Sequence, residues 1–247
     1  MRSSVRGSLI ATALLTATLA SGCGGDDGGD GGDGGGDEFT KKSADEISDI
    51  AKDAMADLKA VTVEGTLSSD GEEIEIRMEI GQGGNCSGEF GTQGATAEIL
   101  GVEGTTWFKP DEAFWELFAG AENAPAVIEA AGDRWVRLPD DDTSFKPFCN
   151  IEEFVTGLTD ESDAKYTKGD VEEVGGEDAI EIVSDRGDEG KSSGYILVDG
   201  DHYVVKIAQT EGEDPGTVEF SGFDEQPDVE APADDEQVAL EDLESAA

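Results

Sequence analysis

Glu73-Ile74-Glu75-Ile76-Arg77-Met78-Glu79-Ile80 alternates a charged side chain with an apolar one at every step. Successive side chains of a strand point to opposite faces, so one face of this segment is aliphatic and the other ionic. This is the pattern of an antiparallel sheet with one wet side, not of a parallel strand buried on both sides. Just upstream, Val61, Val63 and Leu67 share a face, and Ser68-Ser69-Asp70-Gly71 is a turn between the two runs. Downstream, strand patterns recur at 87–91, 96–102, 105–109, 135–138, 166–174, 179–184, 194–198, 203–209 and 217–220. Gly200 turns a hairpin between two of them.

Helices interrupt the strands at three places. Ser43-Ala44-Asp45-Glu46 is a capping box, with Ser43 as N-cap and Glu46 three residues into the helix. Ile47, Ile50, Ala51, Ala54, Met55 and Leu58 then recur at helical spacing, leaving Asp49, Lys52, Asp53 and Asp57 for water. Residues 111–122 carry Phe114, Trp115, Leu117 and Phe118, with 124–131 as an extension, and 150–158 carry Ile151, Phe154, Val155 and Leu158. Strand–helix–strand repetition is missing, which excludes a doubly wound fold. The expected class is α+β: a single curved antiparallel β-sheet, a half-barrel, with helices packed on its concave side.

Charge narrows the function classes. The chain of 247 residues has 16 basic and 59 acidic side chains, a net charge of −43. Nucleic acid is excluded as a partner, because phosphate contacts need clustered Lys and Arg. Adsorption to an anionic membrane surface is opposed by the same charge. The signal region contributes two positive charges, the segment to Glu38 six negative ones and the stretch from Asp224 ten. Most of the acidity therefore belongs to residues 39–223, where it alternates with apolar strand positions as a solvated outer face.

The ends read differently from the middle. Arg2 and Arg6 precede an apolar run from Leu9 to Leu19 that is too short to span a bilayer, so residues 1–22 are expected to be a signal peptide. Leu19-Ala20-Ser21-Gly22-Cys23 resembles a bacterial lipobox, with Ala20 standing where Leu is usual. That resemblance implies cleavage before Cys23 and attachment of a thioether-linked diacylglycerol, with palmitate, to its sulfur. Residues 23–38 then form a lipidated Gly/Asp-rich tether; 24–37 hold nine Gly and five Asp. A flexible chain of that length spans roughly 20 Å end to end. Its Asp-Gly repeats match neither an EF-hand loop nor the calcium-binding nonapeptide repeat. Residues 224–247, with Pro227 and Pro232 and no basic side chain, are expected to be a disordered acidic tail, in which Val238, Leu240 and Leu243 offer a short helix.

With Cys23 set aside, Cys86 and Cys149 remain as an even pair, expected to oxidise to a disulfide outside the membrane; two unrelated buried thiols are the alternative. Catalytic motifs are weak. Gly190-Lys191-Ser192 ends like a phosphate loop, but Asp185 stands where the first Gly is required and the place is a hairpin turn. Ser162-Asp163-Ala164-Lys165 matches Ser-x-x-Lys without either companion motif. His202, the one histidine, has no second ligand type beside it and begins a strand. With 59 acids, close carboxylate pairs arise by accident. No catalytic residue, cofactor or metal is expected, and the chain is read as a non-enzyme.

Several segments together resemble the mycobacterial LppX/LprAFG lipoproteins and the broader LolA/LolB-like half-barrel carriers. They are Cys23, the helix ending at Leu58, Val61-Thr62-Val63-Glu64-Gly65-Thr66, Thr106-Trp107-Phe108-Lys109 with the aromatic helix after it, and Trp135-Val136-Arg137-Leu138. The late hairpin from Tyr195 to Lys206, Val218-Glu219-Phe220-Ser221-Gly222-Phe223 and Val229-Glu230-Ala231-Pro232 complete the set. The Cys86/Cys149 pair and the acidic tail depart from that family's pattern. The resemblance implies that residues 39–223 are a lipoprotein domain enclosing an apolar cavity for lipid or lipoglycan acyl chains. Candidate walls are Ile47, Ile50, Met55 and Leu58 on the first helix, Ile74, Ile76, Met78 and Ile80 on the sheet, and Phe114, Trp115 and Phe118 on the second helix. The same residues also suit a plain filled core.

Two functions stand on this reading. One is a monomeric carrier held by its lipid anchor at the extracytoplasmic face of a bacterial cell membrane, in a Gram-positive cell. The other is a non-enzymatic surface lipoprotein that binds a protein or cell-wall partner. Growth with labelled palmitate is expected to tag the wild type and leave Cys23→Ala unlabelled; label retained by Cys23→Ala contradicts lipidation at that sulfur.

Overall fold

The alternation at residues 73–80 lies on the second of twelve strands, which a computed structural model places in one sheet. The structure describes residues 35–69, 71–141, 145–159, 164–187, 190–212 and 215–244. The signal 1–22, Cys23, the tether through residue 34, and Ser162 and Asp163 of the Ser-x-x-Lys match lie outside the described residues.

In chain order the strands are β1 (Ala60–Ser69), β2 (Glu72–Gly81), β3 (Cys86–Thr92), β4 (Ala95–Val102), β5 (Thr105–Pro110) and β6 (Trp135–Arg137). β7 (Lys165–Val174), β8 (Glu177–Asp185), β9 (Lys191–Leu197), β10 (Val204–Glu211), β11 (Gly216–Ser221) and β12 (Gln237–Ala239) follow. Their order across the sheet is β12-β6-β5-β4-β3-β2-β1-β11-β10-β9-β8-β7. The sheet is curved and unclosed, and the helices cover its concave side, as the sequence predicts. The helices are α1 (Gly35–Phe39), α2 (Ala44–Ala56), α3 (Glu112–Ala119), α4 (Ala124–Ala131), α5 (Ile151–Thr159) and α6 (Leu240–Glu244).

Register sorts the two faces. Val63 opposes Met78 on one side and Phe220 on the other, and the row continues through Gly88, Ile99, Phe108 and Val136. Its side chains are buried. One residue further along, the outer row reads Glu64, Arg77, Glu89, Glu98 and Lys109. Arg77 Nε lies 2.6 Å from Glu64 Oε1, with both side chains more than half exposed. Such a pair is worth under about 1 kcal/mol, so it decorates the outer face without holding it.

Two inward positions in the middle of the sheet carry no side chain. A Cβ on Gly88 would sit 2.8 Å from Met78 Cα and closer still to the Arg77 carbonyl; a Cβ on Gly65 would sit 2.7 Å from Val218 Cα and closer to the Thr217 carbonyl. Glycine in a strand interior marks such close backbone approaches and tight bends. Here it permits the central strands to curl inward.

The helices are fixed at their starts by side-chain caps. Ser43 Oγ accepts from Glu46 N at 3.3 Å while Glu46 Oε2 accepts from Ser43 N at 3.0 Å, which completes the capping box expected for α2. Asp111 caps α3 by accepting from Phe114 N at 2.7 Å, and its other oxygen accepts from Thr96 N at 3.0 Å, tying the helix to β4. Cys86 and Cys149 are disulfide-bonded with Cα atoms 5.1 Å apart, joining β3 to the turn that enters α5. Closing its 63-residue separation is worth about 4 kcal/mol in the chain-entropy account.

Three sequence expectations need correction. Residues 124–131 do not extend the second helix, because Gly120 at φ 80° breaks the chain between α3 and α4. The tether does not run free to residue 38: α1 begins at Gly35, and Phe39 is buried with its ring stacked on His202 at 3.7 Å. The acidic tail is not disordered through residue 244. β12 pairs with β6, in the one parallel pairing among the described strands, and α6 buries Leu243. The tail has enough apolar residues for this, since Val238, Leu240 and Leu243 all pack on the core. Trp107 Nε1 also donates to Gln237 Oε1 at 2.9 Å.

Leu243→Ala is expected to cost about 3 kcal/mol in denaturant unfolding, the usual range for a buried leucine, whereas a free tail would show no change. The Ser43 side-chain hydroxyl, then its backbone, hold the Glu46 carboxyl below its ordinary value of 4.5. A depressed carboxylate stabilises the fold above its unfolded pKa, and that contribution is lost as pH falls through the folded one. Side-chain NMR titration should give Glu46 a midpoint under 4.5, moved upward by Ser43→Ala.

Candidate functional site: a hollow beneath the first long helix

The concave face has two halves that are filled differently. Under α3, rings from β3, β5 and the 145–148 segment interlock. Phe108 stacks on Phe145 with centroids 5.6 Å apart, and Phe90 meets Phe114 edge-on at 6.4 Å. Trp115 lies 5.6 Å from Phe108. These offset and edge contacts are the arrangements aromatic rings prefer.

Under α2 the wall is made of smaller residues. Tyr166, Ser184 and Ser192 oppose one another across β7, β8 and β9. The next inward row is Ile182, Gly194 and Ile207, and beyond it come Ile196 and Val204. Ser48, Ala51 and Lys52 of α2 close the other side, around a hollow of about 70 Å³. That is room for roughly two waters, well below the ~300 Å³ at which drug-sized ligand sites begin. Gly194 opens it: the nearest atom to a Cβ there would be Ile182 O, 3.9 Å away.

The hollow is polar at one end and apolar at the other. Lys52 Nζ donates to Tyr166 Oη at 2.8 Å and lies 5.0 Å from the centroid of the same ring. Ser184 is 3% exposed, and its hydroxyl has no hydrogen-bond partner among the described residues. Leaving such a group unmet in the interior costs about 1–3 kcal/mol, so it marks either a bound guest or a water site. Larger hollows of about 400 and 320 Å³ lie elsewhere, but their walls include carboxylates, Glu72, Glu73 and Glu75 in one and Glu64, Glu75 and Glu89 in the other.

None of the eleven residues nominated from sequence lines this hollow. Ile47, Met55, Leu58, Ile76, Met78, Ile80, Phe114 and Trp115 are buried in the main core, where they pack on one another. Ile50 and Ile74 are half-buried, and Phe118 is 56% exposed at the rim of the ring cluster. Helical spacing assigns Lys52 to water, whereas its ammonium turns onto Tyr166. Periodicity finds large apolar residues, and a hollow is defined by small ones. Ser184, Ser192 and Gly194 at inward positions of adjacent strands were the available signal.

The residues weighed for catalysis fall elsewhere. His202 Nδ1 lies 3.0 Å from Leu197 O while its ring packs on Phe39, so it joins α1 to the β9–β10 hairpin. Lys191 opens β9 with its ammonium 3.7 Å from Asp185 and 3.9 Å from Glu211. Among the described residues no group of three or more His, Cys, Asp and Glu is placed to hold a metal ion. No described helix is long and apolar enough to cross a membrane.

Neither a family model nor a curated protein sequence matches the chain. Solved structures do resemble it. LprF from Mycobacterium bovis superposes with a TM-score of 0.56 at 11% identity, over 77% of this chain and 97% of that one. The lipoprotein LppX from Mycobacterium tuberculosis gives a TM-score of 0.44 at 12% identity, over 78% of this chain and 99% of that one. An uncharacterized conserved protein from Thermus thermophilus gives 0.35 at 14% identity, over 80% and 99%. At such identities the LprF superposition establishes a shared fold.

Proposed function

We propose that this chain is an extracytoplasmic lipoprotein, anchored through Cys23, that binds lipid or lipoglycan acyl chains against the concave face of its sheet. The observation that carries this reading is the hollow beneath α2, whose apolar rows from Ile182 to Val204 belong to the core. The unclosed sheet, shared in fold with LprF, supports it. Burying an acyl chain there is favourable by about 25 cal/mol for each Å² of apolar surface removed from water.

At about 70 Å³ the hollow takes only the first few methylenes of a chain. Admitting the rest requires α2 to ride away from β7 and β8, the strands it packs on. Its activity is binding rather than bond-making, and Cys23 keeps the body within reach of the bilayer from which chains are taken. Lipidation is the attachment this charge allows, because a net −43 opposes adsorption to anionic lipid.

Native mass spectrometry of protein purified without detergent is expected to show adducts of lipid mass that organic extraction removes. Protein that is empty in every preparation and takes up no fluorescent fatty acid overturns the reading. Such a result favours a protein partner instead, docked on the exposed Leu117 and Phe118 of α3.

A further inference from the structure

The hollow beneath α2 has a charge signature opposite to the rest of the molecule. The chain has 59 acidic side chains against 16 basic ones, yet among the described residues the only charged one lining this space is Lys52. Among the described residues no carboxylate lies at salt-bridge distance from its ammonium, which is held instead by the neutral Tyr166 hydroxyl at 2.8 Å. Arg77 by contrast faces Glu64 and Lys191 faces Asp185 and Glu211, while Lys206 lies over the Tyr195 ring and Lys168 donates to the Thr40 and Lys42 carbonyls.

Three hydrogen-bond donors line that end. The Lys52 ammonium has protons beyond the one it gives to Tyr166. Tyr166 Oη accepts from Lys52 and so keeps its own proton to donate. Ser184 Oγ, buried and unpartnered, lies directly across the β7–β8 ladder from Tyr166. Behind this polar row the wall turns apolar, and Gly194 leaves a trough between Ile182 and Ile207.

We infer that this hollow is a site for a single-chain anionic amphiphile. Its carboxylate or phosphate headgroup lies on Lys52, Tyr166 and Ser184, and its chain runs over Gly194 toward Ile196 and Val204. The inference rests on the acyl-binding reading above and adds to it the chemistry of the headgroup. Oxyanions bonded to charged donors make the stronger class of hydrogen bond, and inside a hollow that contact is not diluted by water. The molecule's net negative charge opposes it only at longer range, since charges beyond about 8 Å are largely screened at physiological ionic strength.

The test is fluorescence titration of the full chain carrying Cys23→Ser with cis-parinarate, followed by displacement with palmitate, lysophosphatidate and uncharged monopalmitoylglycerol. Wild type is expected to bind cis-parinarate and to release it to palmitate or lysophosphatidate at a concentration at least tenfold lower than for monopalmitoylglycerol. Whichever of the two anions displaces at the lower concentration identifies the headgroup as carboxylate or phosphate. Lys52→Met, which keeps the stem and removes the charge, is expected to weaken both anions about tenfold and leave monopalmitoylglycerol within twofold. Tyr166→Phe and Ser184→Ala should each weaken the anions by a smaller factor. Gly194→Leu should abolish binding of all three by filling the trough, with its folding checked by circular dichroism. If Lys52→Met binds the anions as wild type does, or monopalmitoylglycerol displaces as well as palmitate, the headgroup assignment is overturned and acyl binding stands. If wild type binds no cis-parinarate, both are overturned.

Discussion

The backbone of β2 passes so close to Gly88 that no side chain fits between them, and Thr217 and Val218 crowd Gly65 in the same way. The rest of the architecture depends on these approaches. A flat twelve-stranded sheet would present its whole apolar face to cover, whereas a curled one folds that face toward itself. Curling also spreads the opposite face, where the row of Glu64, Arg77, Glu89, Glu98 and Lys109 keeps its charges in water. With the sheet unclosed, the concave side must be filled from elsewhere in the chain. α2, α3 and the turn before α5 do so, the last tied to β3 by the Cys86–Cys149 bond.

How the filling is done divides the molecule. Aromatic rings from α3 and the 145–148 segment are bulky enough to reach β3 and β5 directly. On the other half α2 faces serine and glycine on β8 and β9, and large side chains on the helix cannot make up for small ones on the strands. A small, partly polar hollow results, with an unmet hydroxyl at its inner wall. Empty cavities that persist in proteins are ordinarily apolar, and polar ones hold water or a guest. Lys52 and Tyr166 line the same space, and a lysine there that pairs with a phenol rather than a carboxylate is matched to a guest that brings its own negative charge.

Much of the fold was legible in the sequence because it depends on local, repeating signals. The alternation from Glu73 to Ile80 gave the wet-sided antiparallel sheet, Ser43 and Glu46 gave the start of α2, and the even cysteine pair gave the disulfide. Three features were hidden for physical reasons. β12 is three residues long, too short for periodicity, and acquires its conformation from the β6 edge it joins. α1 contains two glycines and two acids whose composition reads as solvent-exposed, and Phe39 stacking on His202 makes it part of the body. The hollow is a tertiary property: Lys52 and Tyr166 are 114 positions apart, and Ser184 and Ser192 become neighbours only through strand register.

The central claim is that acyl chains enter beneath α2 and not into the core built from β2. Methyl-resolved NMR with isoleucine labelling reads the two places separately, because Ile182, Ile196 and Ile207 line the hollow and Ile47, Ile80 and Ile99 do not. Titration with unlabelled palmitate should shift the first three methyl signals and give them contacts to the chain, with the second three nearly still. Shifts confined to Ile47, Ile80 and Ile99, or none at saturating palmitate, would contradict the account.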